Sequence, residues 1–267
     1  MKPGFLLFFL FVSLLAAAQK PKLLVFSKTA GYHHASIAAG IVAIQKMGVE
    51  KGFGVDTTTN AALFTKRNLK QYAALIFLSP TGNVFDTTQK QALQDYIENG
   101  GGLVGIHAAT DMEYGWPWWG KAIGAYFKNH PKQQTAKLHI VDSVHAATRG
   151  LPTTWDRFDE WYNFKNINQD LHVLITLDET SYEGGKNGTF HPVAWWHNVG
   201  RGRVFYTALG HTDASYSEPL FLQHLAGAIA AVLERDKKRK EKNLYLVNKI
   251  SCAATCACHC VSKQDAL

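Results

Sequence analysis

Residues 73–80 read AALIFLSP. Every position before the closing Ser-Pro is apolar, and a strand without a polar face belongs inside a parallel sheet covered on both sides. The flanking text meets that demand. Lys22 to Ser27 is a short apolar run that predicts a first strand, and VDTTTN predicts a second. Between them, ASIAAGIVAIQKMGVEKG spaces Ile37, Ile41, Ile44 and Met47 as a helix closing near Gly52. DTTQKQALQDYIENGG predicts another helix, with Asp86 as N-cap, Gln89 three residues on and Gly100 past its end. GGLVGIHAAT, Gly101 to Thr110, then reads as a buried strand running into a tight corner at His107. Strands alternating with helices make βαβ units, so the expected fold class is α/β with a mostly parallel sheet. Ligands of such sheets sit beyond the carboxyl ends of the strands. That rule places the SKTAGYHH loop, the SPTGN loop and His107 on one rim.

From Gly115 the pattern changes. GWPWWGKAIGAYFKNHP is aromatic and punctuated by Gly and Pro. AKLHIVD, FDEWYNF, HVLITLD, HPVAWWHN and RVFYTALGH then predict five strands, a strand-rich addition in the second half. SEPLFLQHLAGAIAAVLE predicts the last helix, with Leu222, Leu225, Ile229 and Leu233 at core spacing. No linker or repeat divides the chain, so one domain is expected over residues 19–234.

The ends read differently. MKPGFLLFFLFVSLLAAAQ has a positive charge at Lys2, an apolar run from Phe5 to Leu15 and a small-residue close. That is the pattern of a secretory signal peptide over residues 1–18, so a periplasmic or extracellular protein without stable membrane insertion after cleavage is expected. All four cysteines, Cys252, Cys256, Cys258 and Cys260, lie in the tail 235–267 and can staple nothing in the domain. The net charge of +7 owes +3 to ERDKKRKEK, which holds six basic and three acidic residues. No basic stripe with interleaved aromatics occurs elsewhere, which argues against a nucleic-acid partner.

Twelve histidines are spread over the chain, and several fall at strand ends: His33 and His34 after the first strand, His107 after the fourth, His191 opening one and His211 closing another. Each alone is an ordinary structural residue; together, at one rim, they make a site. If FDEWYNF is a strand, Glu160 and Tyr162 share one face, as an acid/base pair or as a carboxylate and a hydroxyl for sugar hydroxyls. The same segment also reads as a strand with one solvated face.

TAGYHHAS, GGGLVGIHAATD, FDEWY, HPVAWW…GRGRVFYTALGH and LFLQHLAGAI, in that order over Lys22 to Leu233, resemble the ThuA family, named for trehalose utilisation. The resemblance implies a fold like that of class I glutamine amidotransferases: flavodoxin-like, a mostly parallel sheet with helices on both faces. In those amidotransferases the corner after the strand carries a cysteine nucleophile. Here it carries His107, and residues 19–234 contain no cysteine, which excludes thiol glutaminase chemistry. No G-x-S-x-G occurs, so a serine nucleophile is unsupported as well. Transferred motif by motif, the resemblance points to His34, His107, Glu160, Tyr162, His191 and His211. It implies sugar handling, often near keto-sugars.

Two readings follow. In the first, an exported enzyme isomerises, epimerises or eliminates at a sugar or keto-glycoside. His107, Glu160 and Tyr162 are then catalytic, His191, Trp195 and His211 bind substrate, and His34, His107 and His211 hold a divalent metal such as zinc. In the second, the protein binds carbohydrate without turnover, with Trp195, Trp196, Trp116, Trp118 and Trp119 as stacking surfaces.

Overall fold

A computed structural model describes residues 20–234; the leader expected over 1–18 and the cysteine-bearing tail 235–267 lie outside the described residues. The apolar runs of the first half become adjacent parallel strands. β1 (Lys22–Phe26), β2 (Gly54–Thr58), β3 (Ala74–Leu78) and β4 (Gly102–Ile106) lie side by side in the order β2-β1-β3-β4. β3 and β4 are buried at every position. A late strand, β11 (Gly202–Thr207), joins β4 in parallel and extends this half-sheet to five strands.

The second half supplies β5 (Tyr126–Asn129), β6 (Gln134–Ile140), β7 (Thr154–Asp159), β8 (Asn163–Lys165), β9 (His172–Leu177) and β10 (Pro192–Val199). β10, β9, β6 and β7 continue the sheet beyond β11, each antiparallel to its neighbour, to nine strands. β5 and β8 form a separate two-stranded sheet. FDEWYNF is therefore not one strand. Its first residues end β7, its last begin β8, and Glu160 to Tyr162 form the bend between two sheets.

The helices are α1 (Ile37–Lys51), α2 (Lys66–Leu69), α3 (Thr87–Glu98), α4 (Pro117–Ile123) and α5 over residues 219–234. α3 begins with the capping box expected of it: the Asp86 carboxylate accepts the Gln89 N–H at 2.8 Å, and the Asp86 N–H donates to the Gln89 side chain at 3.1 Å. β4 shows how closely both faces are covered. A Cβ on Gly102 would sit 3.0 Å from Val232 of α5, and one on Gly105 only 2.5 Å from Ile123 of α4. None of the described helices is long and apolar enough to cross a membrane.

His224 on α5 is fully buried, its Nδ1–H donating to Ala147 O at 2.8 Å and its Nε2 3.2 Å from the Thr207 hydroxyl. Burial, with a smaller contribution from the Arg157 charge, pushes its pKa down to about 4. The folded state thus resists a proton that the unfolded chain accepts near pH 6.5. The stability this neutral ring contributes is complete above pH 6.5 and is lost as pH falls towards 4. Urea unfolding at pH 7 and pH 4.5 is expected to show a larger loss in the natural chain than in His224→Gln; equal losses would mean this ring is not a source of the acid sensitivity.

Candidate functional site

The carboxyl ends of β1, β4 and β11 and the bend after β7 meet in one place. His107 is the first residue after β4 and holds φ +49°, a left-handed conformation uncommon for a side chain larger than glycine. That corner turns its ring into the protein, fully buried. Its Nδ1–H donates to Ala208 O at 2.8 Å; a carbonyl only accepts, so the neutral ring presents an unprotonated Nε2. Nε2 lies 3.0 Å from His211 Nδ1 and 3.5 Å from Glu160 Oε2. On the far side of His211, the Gln133 side-chain N donates to Nε2 at 2.8 Å. Glu160 Oε2 is 3.1 Å from His211 Nδ1, and its Oε1 is 3.2 Å from His130 Nδ1.

His34 completes the cluster from the β1 loop. Its ring centroid lies 4.8 Å from that of His107 and 5.2 Å from that of His211, edge to face with each. His33 instead faces outward, near the Thr29 hydroxyl. His34 is 3% exposed, and its Nδ1 has no hydrogen-bond partner among the described residues. Burial, reinforced by His107 and His211, pushes its pKa down to about 3. Burial alone would raise Glu160, but its interactions with the adjacent His107 and His211 rings outweigh it and hold the carboxyl well below its usual range. Tyr162 packs on His107 with ring centroids 4.3 Å apart, and burial, then the Glu160 charge, pushes its phenol well above 10. At neutral pH the site therefore holds a neutral His34, an ionised Glu160 and a protonated Tyr162.

One ligand atom from each of His34, His107, Glu160 and His211 falls within 4.8 Å of the others. A tetrahedral zinc ion with bonds of about 2.0–2.1 Å separates its ligand atoms by about 3.3 Å. The spacings among His107, His211 and Glu160 bracket that value, and His34 offers a fourth donor atom within 4.8 Å of the others. These residues fit a divalent ion, and Ala208 O fixes the His107 tautomer as an outer-shell acceptor does for metal-bound imidazole.

Behind the cluster lies a charged support absent from the sequence expectations. The buried Asp159 carboxylate accepts the backbone N–H groups of Gly210 (2.9 Å), His211 (3.1 Å) and Glu160 (2.9 Å). Arg157 Nη2 meets it at 3.2 Å and also reaches Glu218 Oε2 at 3.1 Å and the Ser215 hydroxyl at 2.8 Å. Gly210 keeps φ +105°, and a Cβ there would lie 2.9 Å from the Tyr216 hydroxyl, so the turn that aims His211 requires glycine.

Two expected substrate contacts lie elsewhere. His191 and Trp195 are fully buried, because β10 is an interior strand covered on the α4 side as well. The Trp195 indole N–H donates to Ile123 O at 2.9 Å, with Gly124 packed against it, so this ring has no surface for a ligand. His191 Nε2–H donates to Tyr162 O at 2.8 Å, while its Nδ1 faces Glu179 Oε1 at 2.8 Å. It supports the Tyr162 backbone from behind. The other tryptophans also avoid the cluster: Trp196 stacks on His172 at 4.3 Å, Trp116 on Trp118 at 4.9 Å, and Trp119 donates to Ala109 O. Aromatic surface near the cluster comes instead from Phe127, 4.2 Å from the Tyr162 ring, and from the part-exposed His130. Ser79, one strand over, shares the left-handed corner at φ +47°, yet its buried hydroxyl has no hydrogen-bond partner among the described residues.

The comparisons with known proteins agree with this architecture. A crystal structure described as ThuA-like from Bacteroides uniformis superposes with a TM-score of 0.68 at 25% identity, covering 79% of this chain and 91% of its own. A second, from Parabacteroides merdae, gives 0.64 at 21% identity over 80% and 90%. A crystal structure described as a candidate GMP synthase component from Thermoplasma acidophilum shares the fold at 13% identity, with a TM-score of 0.53 over 84% of this chain and 98% of that one. No curated protein matches the sequence. The family model for ThuA, trehalose utilisation, matches residues 22–230, and the chain belongs to that family.

Proposed function

We propose that this ThuA-family protein is an exported enzyme of carbohydrate metabolism that moves a proton next to the carbonyl of a sugar or keto-glycoside, with a divalent metal such as zinc at His34, His107 and His211, and Glu160 beside it as the base. The observation that carries the reading is the convergence of donor atoms from His34, His107, His211 and Glu160 within 4.8 Å of one another. Export rests on the leader-like residues 1–18 alone.

A metal bound there supplies Lewis-acid polarisation of the substrate carbonyl, which acidifies the adjacent C–H. Glu160, held ionised by its histidine neighbours, accepts that proton through Oε1 on the His130 side. Tyr162, held protonated by burial, donates a hydrogen bond to a substrate oxygen. Ala208 O orients His107, and Asp159 orients His211. A pure carbohydrate binder needs no convergence of three imidazoles on a carboxylate, so the enzymatic reading is preferred.

Elemental analysis of the full chain after zinc loading and dialysis is expected to give one equivalent of metal. Incubation with a keto-glycoside in D2O is expected to incorporate deuterium beside the carbonyl. Absence of metal after loading removes the metal from the proposal, and absence of exchange on a panel of keto-glycosides removes the proton-transfer chemistry.

A further inference from the structure

The neutral His211 ring carries its proton on Nδ1. Both neighbours of that atom are acceptors: the unprotonated Nε2 of His107 at 3.0 Å and the Glu160 carboxylate oxygen Oε2 at 3.1 Å. The lone pair of His211 is then left on Nε2, where the Gln133 amide N–H donates at 2.8 Å. The result is one ordered row of donors from the surface inward. Gln133 donates to His211, His211 to His107, and His107 to Ala208 O. Every bond in the row points the same way, so the orientation of one exposed amide decides which nitrogen of His211 is bare.

That row opposes a metal ion. An imidazole binds metal through an unprotonated nitrogen. His107 offers one at Nε2, but the atom that His211 turns to the cluster is its protonated Nδ1. Before His211 can bind, its proton has to sit on Nε2, and the partner of Nε2 has to be an acceptor. Gln133 meets that need by turning its amide over, so that Oε1 replaces the nitrogen. The fold leaves room for this turn and holds everything around it. Gln133 itself is exposed, while the buried Trp161 indole N–H donates to Gln134 O at 2.8 Å. The Gln134 side chain bonds Lys132 O and both the N–H and the carbonyl of Glu183, each at 2.9 Å. Trp161 lies between Glu160 and Tyr162 in sequence, so the bend that brings those two residues to the cluster also places Gln133 over His211.

We propose that Gln133 is a positioning residue that controls metal entry through His211: its amide as oriented here holds the ring in the tautomer that resists a metal ion, and turned over it holds the tautomer that accepts one. The proposal rests on the metal reading of the cluster and adds to it a residue that sets how readily the cluster loads. Gln133 touches neither metal nor substrate in this role; it acts through the imidazole.

The test is zinc titration of the full chain in mildly alkaline buffer, comparing the natural protein with Gln133→Glu and Lys132→Gln. A carboxylate at position 133 only accepts, so it favours the tautomer that loads. Lys132→Gln makes the same change of charge in the same exposed loop and leaves Gln133 in place. Gln133→Glu is expected to bind zinc about tenfold more tightly than Lys132→Gln, the lower end of what the partner of a ligating histidine contributes. Nitrogen NMR of the histidine-labelled natural chain, with His211 assigned by its loss in His211→Asn, is expected to show the proton on Nδ1 before zinc and on Nε2 after it. Equal affinity in Gln133→Glu and Lys132→Gln, or a His211 ring with its proton already on Nε2 before zinc is added, overturns the role of Gln133 and leaves the metal reading standing. No zinc bound by any of the three chains overturns both.

Discussion

Replacing His107 by asparagine is expected to abolish metal binding and lower turnover by roughly a thousandfold, while the fold stays intact. Asparagine is the appropriate substitution because it accepts the left-handed φ of +49° more readily than alanine does. Its short amide can still reach towards Ala208 O, but it brings no nitrogen lone pair to the position of His107 Nε2, which lies within 3.5 Å of both His211 and Glu160. A loss of function without a loss of stability would therefore be chemical in origin. Zinc stoichiometry, deuterium exchange and a urea unfolding curve on the same preparation separate the two. Full metal content with full exchange in this variant would remove His107 from the site.

The corner that carries His107 was legible because its physics is local: an apolar strand, three glycines and a run of small residues. The parallel half of the sheet was legible for a related reason. Strands buried on both faces leave uninterrupted apolar runs, and βαβ connections leave little choice of topology. Glu160 and Tyr162 were expected together from strand alternation, but the strand ends at Asp159. A bend between two sheets, not a pleat, brings both to His107. The expectation for Trp195 and His191 failed because antiparallel strands usually keep one solvated face, whereas β10 is buried over its first four residues and covered by α4. β7 hides its meaning further still. Hydrophobicity would turn Phe158 inward and Arg157 outward, yet Phe158 is 52% exposed and Arg157 is 5% exposed. What inverts the pattern is a partner distant in sequence: the Arg157 guanidinium lies between the Trp155 and Phe221 rings and reaches Glu218.

That inversion sets the second large effect, at Asp159. Asp159→Ala is expected to destabilise the protein by about 3–5 kcal/mol, the range for breaking a buried ion pair from one side. The cause is what remains behind. Arg157 Nε and Nη1 have no hydrogen-bond partner among the described residues, so without Asp159 the buried charge relies on Glu218 and Ser215 through a single nitrogen. Three backbone N–H groups, at Glu160, Gly210 and His211, lose their acceptor together. Asp159→Asn keeps one acceptor oxygen and the side-chain shape, so its cost should be smaller, and the difference measures the charge. Because the lost bonds hold the backbone of both Glu160 and His211, zinc affinity should fall tenfold to a hundredfold even in Asp159→Asn, under conditions where that variant is fully folded. Urea midpoints give the first quantity and zinc titration the second. Instability with normal zinc affinity would make the Arg157–Asp159 pair a support of the fold alone; weakened zinc binding in a stable variant would show that β7 also sets the geometry of the cluster.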